Sequence, residues 1–157
     1  MAQEVIIRRA GLEDAAVLVA FNRAMAQETE GKDLVPEVIA AGVKNLLENV
    51  NLGFYLVAER SDEVIGSLMI TTEWSDWRNG IFWWVQSVYV RPDFRRQGVY
   101  RRLYQFVQTL AQQDPHVCGF RLYVERENRI AQQTYRSLGM EETAYRVFED
   151  LKSGSSD

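Results

Sequence analysis

Apolar residues recur along this chain with two periods, and the switches between them lay out its elements. Residues 5–8 alternate weakly, as a strand does, and Gly11 follows. Ala15, Leu18, Phe21 and Met25 then recur at spacings of three and four, which predicts a helix. Pro36 suits the first turn of a second helix, in which Val35, Ile39, Val43, Leu46 and Val50 share one face ahead of Gly53. A polar linker over residues 28–33 is expected between the two. Residues 54–58 and 64–70 are β-rich runs separated by Arg60, Ser61, Asp62 and Glu63, which predicts an antiparallel hairpin. Residues 72–80 read as a Trp-rich loop, and residues 81–90 as a long apolar and aromatic strand stopped by Pro92. Val99, Leu103, Phe106 and Leu110 mark a third helix that ends before Pro115. A strand is expected over residues 119–124. Asn128 can cap a fourth helix carrying Ala131, Tyr135 and Leu138, with Gly139 as its stop, and residues 144–148 supply a last strand.

The predicted order is β-α-α-β-β-β-α-β-α-β, with no repeat or low-complexity block to divide it. One mixed α/β domain over residues 1–152 is expected, followed by a disordered tail over 153–157. The length of 157 residues and a 46% hydrophobic content are enough for one buried core. A net charge of −4 argues against general affinity for nucleic acid or an anionic membrane, and favours a cationic substrate. Of the 18 basic residues only Lys32, Lys44 and Lys152 are lysines, and Arg91, Arg95, Arg96, Arg101 and Arg102 crowd into one segment. Arginine favours bidentate contacts with anions over point charges.

The single cysteine, Cys118, excludes an intrachain disulfide and points to a reducing, cytoplasmic compartment. Its place at the start of an apolar run suggests a small buried hydrophobe rather than a nucleophile. No signal peptide is read before Val5, and no apolar run approaches the ~18 residues a membrane span requires. His116 is the lone histidine, so a His-based triad or multi-His metal site has no material here, and no metal is expected.

The most informative segment runs from Val88-Tyr89-Val90 through Arg91-Pro92-Asp93-Phe94 into Arg95-Arg96-Gln97-Gly98-Val99-Tyr100. A buried strand passes through a turn into an amphipathic helix, with glycine at the junction. The first N–H groups of a helix have no intrahelical partners, and its N-terminus carries about +0.5 charge. A phosphate placed there gains hydrogen bonds and field together.

Here the chain resembles the GNAT acetyltransferase superfamily, whose acetyl-CoA signature is Arg/Gln-x-x-Gly-x-Gly/Ala after a central strand. Residues 95–100 match two of the three fixed positions, with Tyr100 in place of the usual small residue, which implies a more crowded turn. Glu127-Asn128-x-x-Ala131-x-x-x-Tyr135-x-x-Leu138-Gly139-Met140 looks like the later Glu-Asn-x-x-Ala-x-x-x-Tyr-x-x-Leu-Gly-Phe segment, with Met for the final aromatic. The resemblance covers about residues 5–149. It implies a central mixed, largely antiparallel sheet flanked by helices, and acetyl-CoA as cosubstrate. It further implies that Val88, Tyr89 and Val90 bond the pantetheine arm as an extra strand, and that Arg95, Arg96, Gln97, Gly98, Val99 and Tyr100 hold the pyrophosphate. Asn128 would contact the cofactor and Tyr135 would face the thioester sulfur. The family parts its fourth and fifth strands, here residues 82–90 and 119–124.

Amine acetylation by direct attack needs a neutral nitrogen, a polarised thioester carbonyl and a proton for the departing thiolate. A tyrosine of pKa ~10 can protonate or hydrogen-bond a thiolate of ~8.5, which suits Tyr135. A backbone N–H near Val88 would polarise the carbonyl. Many relatives place a glutamate where this chain has Gln86, and an amide accepts no proton, although Gln86 or Ser87 could orient a relaying water. Neutralising an alkylamine of pKa ~10.4 at pH 7 costs ~4.6 kcal/mol, against ~1 for an α-amino group, so Gln86 favours a less basic amine. Otherwise Glu28, Glu30, Glu73 or Asp76 must serve. The family builds its acceptor site from the segments holding Glu28-Thr29-Glu30 and Glu73-Trp74-Ser75-Asp76-Trp77, where carboxylates and indoles would bind a cation. Trp83 and Trp84 point to opposite faces of their strand, and core packing is expected for at least one.

The expected function is N-acetylation of a primary amine of a small molecule or peptide, with a homodimer left open. The competing reading, motivated by Tyr100 and Gln86 together, is a non-catalytic acyl-CoA-binding module. A third, an unrelated phosphate-binding interaction domain, has no Gly-x-x-x-x-Gly-Lys-Ser/Thr sequence to support it.

Overall fold

A computed structural model describes residues 4–154. Of these, residues 4–123 and 124–154 form two compact units. In the first, β1 (Ile6–Arg9), α1 (Ala15–Glu30), α2 (Pro36–Glu48), β2 (Phe54–Arg60), β3 (Glu63–Ser75), β4 (Gly80–Val90), α3 (Val99–Gln112) and β5 (Val117–Leu122) follow in that order. The five strands make one sheet in sequence order, antiparallel from β1 to β4, with β5 parallel to β4.

Strand alternation divides the core between the two faces of this sheet. Tyr55, Val57 and Met69 share one face with Leu18 of α1 and with Val43 and Leu46 of α2. Leu56 and Leu68 alternate with them, fully buried, toward the face where α3 lies against β2 and β3. Leu103 and Val107 of α3 are likewise fully buried, and the Tyr104 ring meets Phe120 edge-on.

Several boundaries differ from those the spacing predicts, each for a local reason. Helix α1 runs on through Glu28 and Glu30, so the expected linker shrinks; Gly31, at φ 59°, ends it by donating its N–H to Gln27 O. Helix α2 stops at Glu48 because Asn49 is extended, which leaves Val50 86% exposed and off the apolar face. Ser61 and Asp62, both left-handed, make a two-residue turn that suits the twist of a hairpin and lets β2 and β3 pair to their ends. The expected Trp-rich loop is mostly strand, since Thr72, Glu73 and Trp74 pair with Trp83, Phe82 and Ile81 and only residues 76–79 turn. Strand β5 begins two residues earlier than expected and ends at Leu122. Cys118 is exposed rather than buried. Ile81 pairs with Val117 and Phe82 with Gly119, so Cys118 is the extra residue of a bulge and turns away from the ladder.

In the second unit, α4 (Arg129–Ser137) is capped by Asn128, whose Oδ1 accepts from the Ala131 N–H at 3.1 Å, and Gly139 follows at φ 94°. The strand expected at residues 144–148 does not form. The Tyr145 N–H donates locally to Thr143 Oγ1 at 3.3 Å rather than into a ladder, and Tyr145, Val147 and Phe148 are 74%, 68% and 94% exposed. Ser153 and Gly154 sit in an exposed turn, and the rest of the expected tail, 155–157, lies outside the described residues.

Candidate active site

The site in the first unit is organised by the second half of β4. Parallel pairing with β5 covers Ile81 to Val85 and stops at Leu122, so residues 86–90 continue without a β5 partner. The strands therefore part at Gln86, later along β4 than the resemblance implies. On the other side β4 stays in register with β3, apart from a bulge between Met69↔Gln86 and Ser67↔Tyr89. Ser87 and Val88 oppose Leu68 alone there, and Ser87 adopts φ 51°. A bulge of this kind frees a residue from the ladder and re-aims the backbone around it, here at the point where the strands part.

Beyond the bulge the backbone polarity is defined. The Arg91 N–H donates to Ile65 O at 2.8 Å, so Arg91 and Tyr89 direct their backbone groups at β3. Val88 and Val90, alternating with them, direct theirs away from β3. Of the three residues expected to bond a pantetheine arm, Val88 and Val90 thus offer main-chain groups. Tyr89 offers its side chain instead, stacked on Phe21 of α1 at 4.9 Å.

The turn into α3 contains two left-handed residues, Arg96 at φ 64° and Gly98 at φ 79°. The first bond into the helix runs from Arg102 N–H to Gly98 O at 3.1 Å. The amides that precede it, at the start of a 14-residue helix, are those that a helix cannot satisfy internally. No atom lies within 4 Å of a Cβ built on Gly98, so the left-handed conformation, not crowding, calls for glycine, and the space above the turn is open. Open space, a helix N-terminus and exposed Arg96, Arg101 and Arg102 thus come together at this turn, the features that favour an anion. The Tyr100 ring stacks along the helix with Tyr104 at 6.2 Å, and Gln97 donates its side-chain amide to Asp93 O.

Two of the five clustered arginines are engaged by carboxylates. Arg91 pairs with Asp93 and Glu63. Arg95 donates through Nε to Val90 O at 2.8 Å and through Nη2 to both oxygens of Glu28, at 2.8 and 3.2 Å. The Tyr89 hydroxyl lies 3.5 Å from the same carboxylate, and burial, with the Glu28 charge adding to it, raises its pKa.

The structure separates the other expected acceptor residues. Glu73 accepts from Trp84 Nε1 at 2.9 Å and from Arg121 at 2.8 Å. The Trp84 hydrogen bond and then Arg121 hold its carboxyl below the usual range, which makes Glu73 a poor proton acceptor. Glu30 and Asp76 are exposed, as are Trp74 and Trp77 on the β3–β4 hairpin. Trp83 packs edge-on against Phe54 with 7% exposure, while Trp84, on the opposite face, meets Tyr123. Gln86, opposite Met69, is partly buried just ahead of the bulge. Sequence reasoning named the Arg95 and Glu28 side chains without connecting them, and missed Arg121, which no motif marks.

In the second unit, Asn128 spends its Oδ1 on the helix cap, which leaves its Nδ2 donors for other contacts. Tyr135 is partly buried on α4, and burial raises its phenol pKa. Among the described residues no group of three or more His, Cys, Asp or Glu could hold a metal ion, and no helix is long and apolar enough to cross a membrane.

A sheet whose fourth and fifth strands part beside a helix-start anion turn defines a class, and the sequence comparison agrees. Residues 19–140 match the acetyltransferase (GNAT) family, and the chain belongs to it. It is similar to a solved structure described as a possible acetyltransferase from Clostridium difficile 630, with 42% identity, a TM-score of 0.88, and 94% of this chain and 97% of that one covered. Its fold is shared by a predicted acetyltransferase with acetyl-CoA from Clostridium acetobutylicum, at 18% identity and TM-score 0.77, covering 94% and 96% of the two chains. An aminoglycoside N-acetyltransferase in complex with CoA shares it too, at 18% identity and TM-score 0.74, covering 97% of each. Among proteins with curated descriptions none matches the sequence.

Proposed function

We propose that this chain transfers an acetyl group from acetyl-CoA to a primary amine of a small molecule or peptide, by direct attack in a ternary complex. The observation that carries the reading is the edge of β4 from Gln86 to Val90, without a β5 partner and adjoining the left-handed turn that opens α3. Acetyl-CoA supplies an activated acyl thioester. Val88 supplies a main-chain donor and acceptor along the open edge and Val90 its N–H, the Val90 carbonyl being taken by Arg95 Nε, and the amides around Gly98 receive the diphosphate. The left-handed Ser87 re-aims an amide that can polarise the thioester carbonyl. Tyr135, its pKa raised by burial, keeps its proton at neutral pH and delivers it to the leaving thiolate. Glu73 is neutralised by Arg121 and held acidic, so deprotonation falls to a water held by Gln86 or Ser87, or to Glu28, Glu30 or Asp76. Residues 1–152 acting as one catalytic domain, and a cytoplasmic setting suggested by the lone Cys118, belong to the same reading. So does a cationic acceptor, in keeping with the net charge of −4 and with an aminoglycoside N-acetyltransferase among the structures that share the fold.

The test is thiol release from acetyl-CoA across polyamines, amino acids, aminoglycosides and peptide N-termini. Amine-dependent release is expected with at least one class. Binding of acetyl-CoA with no release for any amine would make the chain an acyl-CoA-binding module instead.

A further inference from the structure

One side chain links the two substrate regions of the proposed acetyltransferase. Arg95 lies three residues before Gly98, in the turn assigned to the diphosphate, yet its guanidinium points elsewhere. Nη2 grips both oxygens of Glu28 on the last turn of α1, Nε donates to the outward-facing carbonyl of Val90, and the plane lies 5.4 Å from the Tyr89 ring. Both partners of the ion pair are 42% exposed, so water and salt weaken it and its exchange for another anion costs little. Glu28 meanwhile is a carboxylate at the end of α1, one of the segments expected to receive the amine, and Arg95 neutralises it.

We propose that Arg95 is a coupling residue. It exchanges Glu28 for the cofactor's diphosphate, and Glu28, so released, presents an unneutralised charge to a cationic acceptor. Glu28 then selects for positively charged amines, and each substrate favours the binding of the other. Coupling of this kind is reciprocal, so whatever removes the competition of Glu28 for Arg95 must tighten the cofactor. The inference rests on the acetyltransferase reading.

Calorimetric titration of the full chain with CoA tests it without any assay of turnover. Glu28→Gln removes the competing charge and keeps the shape, and is expected to tighten CoA about threefold to tenfold. Arg95→Gln should weaken CoA, and adding Glu28→Gln to it should bring no further tightening, because the gain requires the guanidinium. A melting temperature for each variant within a few degrees of the wild type keeps folding out of the comparison. If Glu28→Gln leaves CoA affinity unchanged or weakens it, the pair is a structural tie and the coupling is wrong, whereas the acetyltransferase reading stands. If the wild-type chain fails to bind CoA, that reading falls and the coupling falls with it.

Discussion

Gly98 and Tyr135 carry the assignment at the scale of single residues, for different physical reasons. Gly98 is held at φ 79° with nothing within 4 Å of where a Cβ would sit, so Gly98→Ala introduces backbone strain without a clash. A left-handed non-glycine residue costs about 1–2 kcal/mol. The substitution should therefore lower stability by about that much or relax the turn and weaken CoA binding, as denaturant melts and calorimetry would register. Tyr135→Phe keeps the ring and removes the proton, so turnover should fall about 10²-fold while acetyl-CoA affinity stays near the wild type. An equal loss of affinity with unchanged turnover would make Tyr135 a packing residue. Because burial raises the Tyr135 pKa, activity that depends on its proton should persist through neutral pH and decline only above the ordinary phenol value of ~10.

At the scale of elements, β1 and α1 are joined by a charge cluster with a definite pH signature. Asp14 is 5% exposed, accepts two hydrogen bonds from Arg8 at 2.9 and 3.0 Å and one from the Gly11 N–H at 2.8 Å. Arg8 is the main cause of its lowered pKa, with the Gly11 bond adding to the effect. A carboxyl whose folded pKa is depressed contributes stability above its unfolded value of ~3.9 and loses that contribution as pH falls through the folded value. Asp14→Asn should cost about 1.5–3 kcal/mol at pH 7, with a difference from wild type that shrinks in acid melts. The helices were legible because Leu18, Phe21, Val43, Leu46, Val99 and Leu103 repeat at helical spacing, and Gly139 marks an end. The β3–β4 hairpin was read too short because Trp74, at 61% exposure, pairs in a ladder yet looks like loop composition. The bulge at Ser87 left no trace in the pattern, since a two-residue period cannot register one inserted residue among apolar neighbours. The ion pairs of Arg95 with Glu28 and Arg121 with Glu73 join residues 67 and 48 positions apart, a separation no local spacing encodes.

For the whole molecule, the family assignment and the parting of β4 from β5 converge on one expectation: the folded chain binds CoA. A ligand that binds only the native state stabilises it by RT ln(1 + [L]/Kd), about 2.7 kcal/mol at a hundredfold excess over Kd. Saturating CoA should therefore raise the melting temperature by several degrees, less so for Gly98→Ala. Binding separates this chain from an unrelated domain but not from a non-catalytic relative. The central claim is acetyl transfer to an amine, and its most direct test is mass spectrometry of the products formed from acetyl-CoA and the amine panel. The account predicts an N-acetylated amine and an equal amount of free CoA, both reduced about 10²-fold by Tyr135→Phe. Tight CoA binding with no acetylated product from any amine would contradict it.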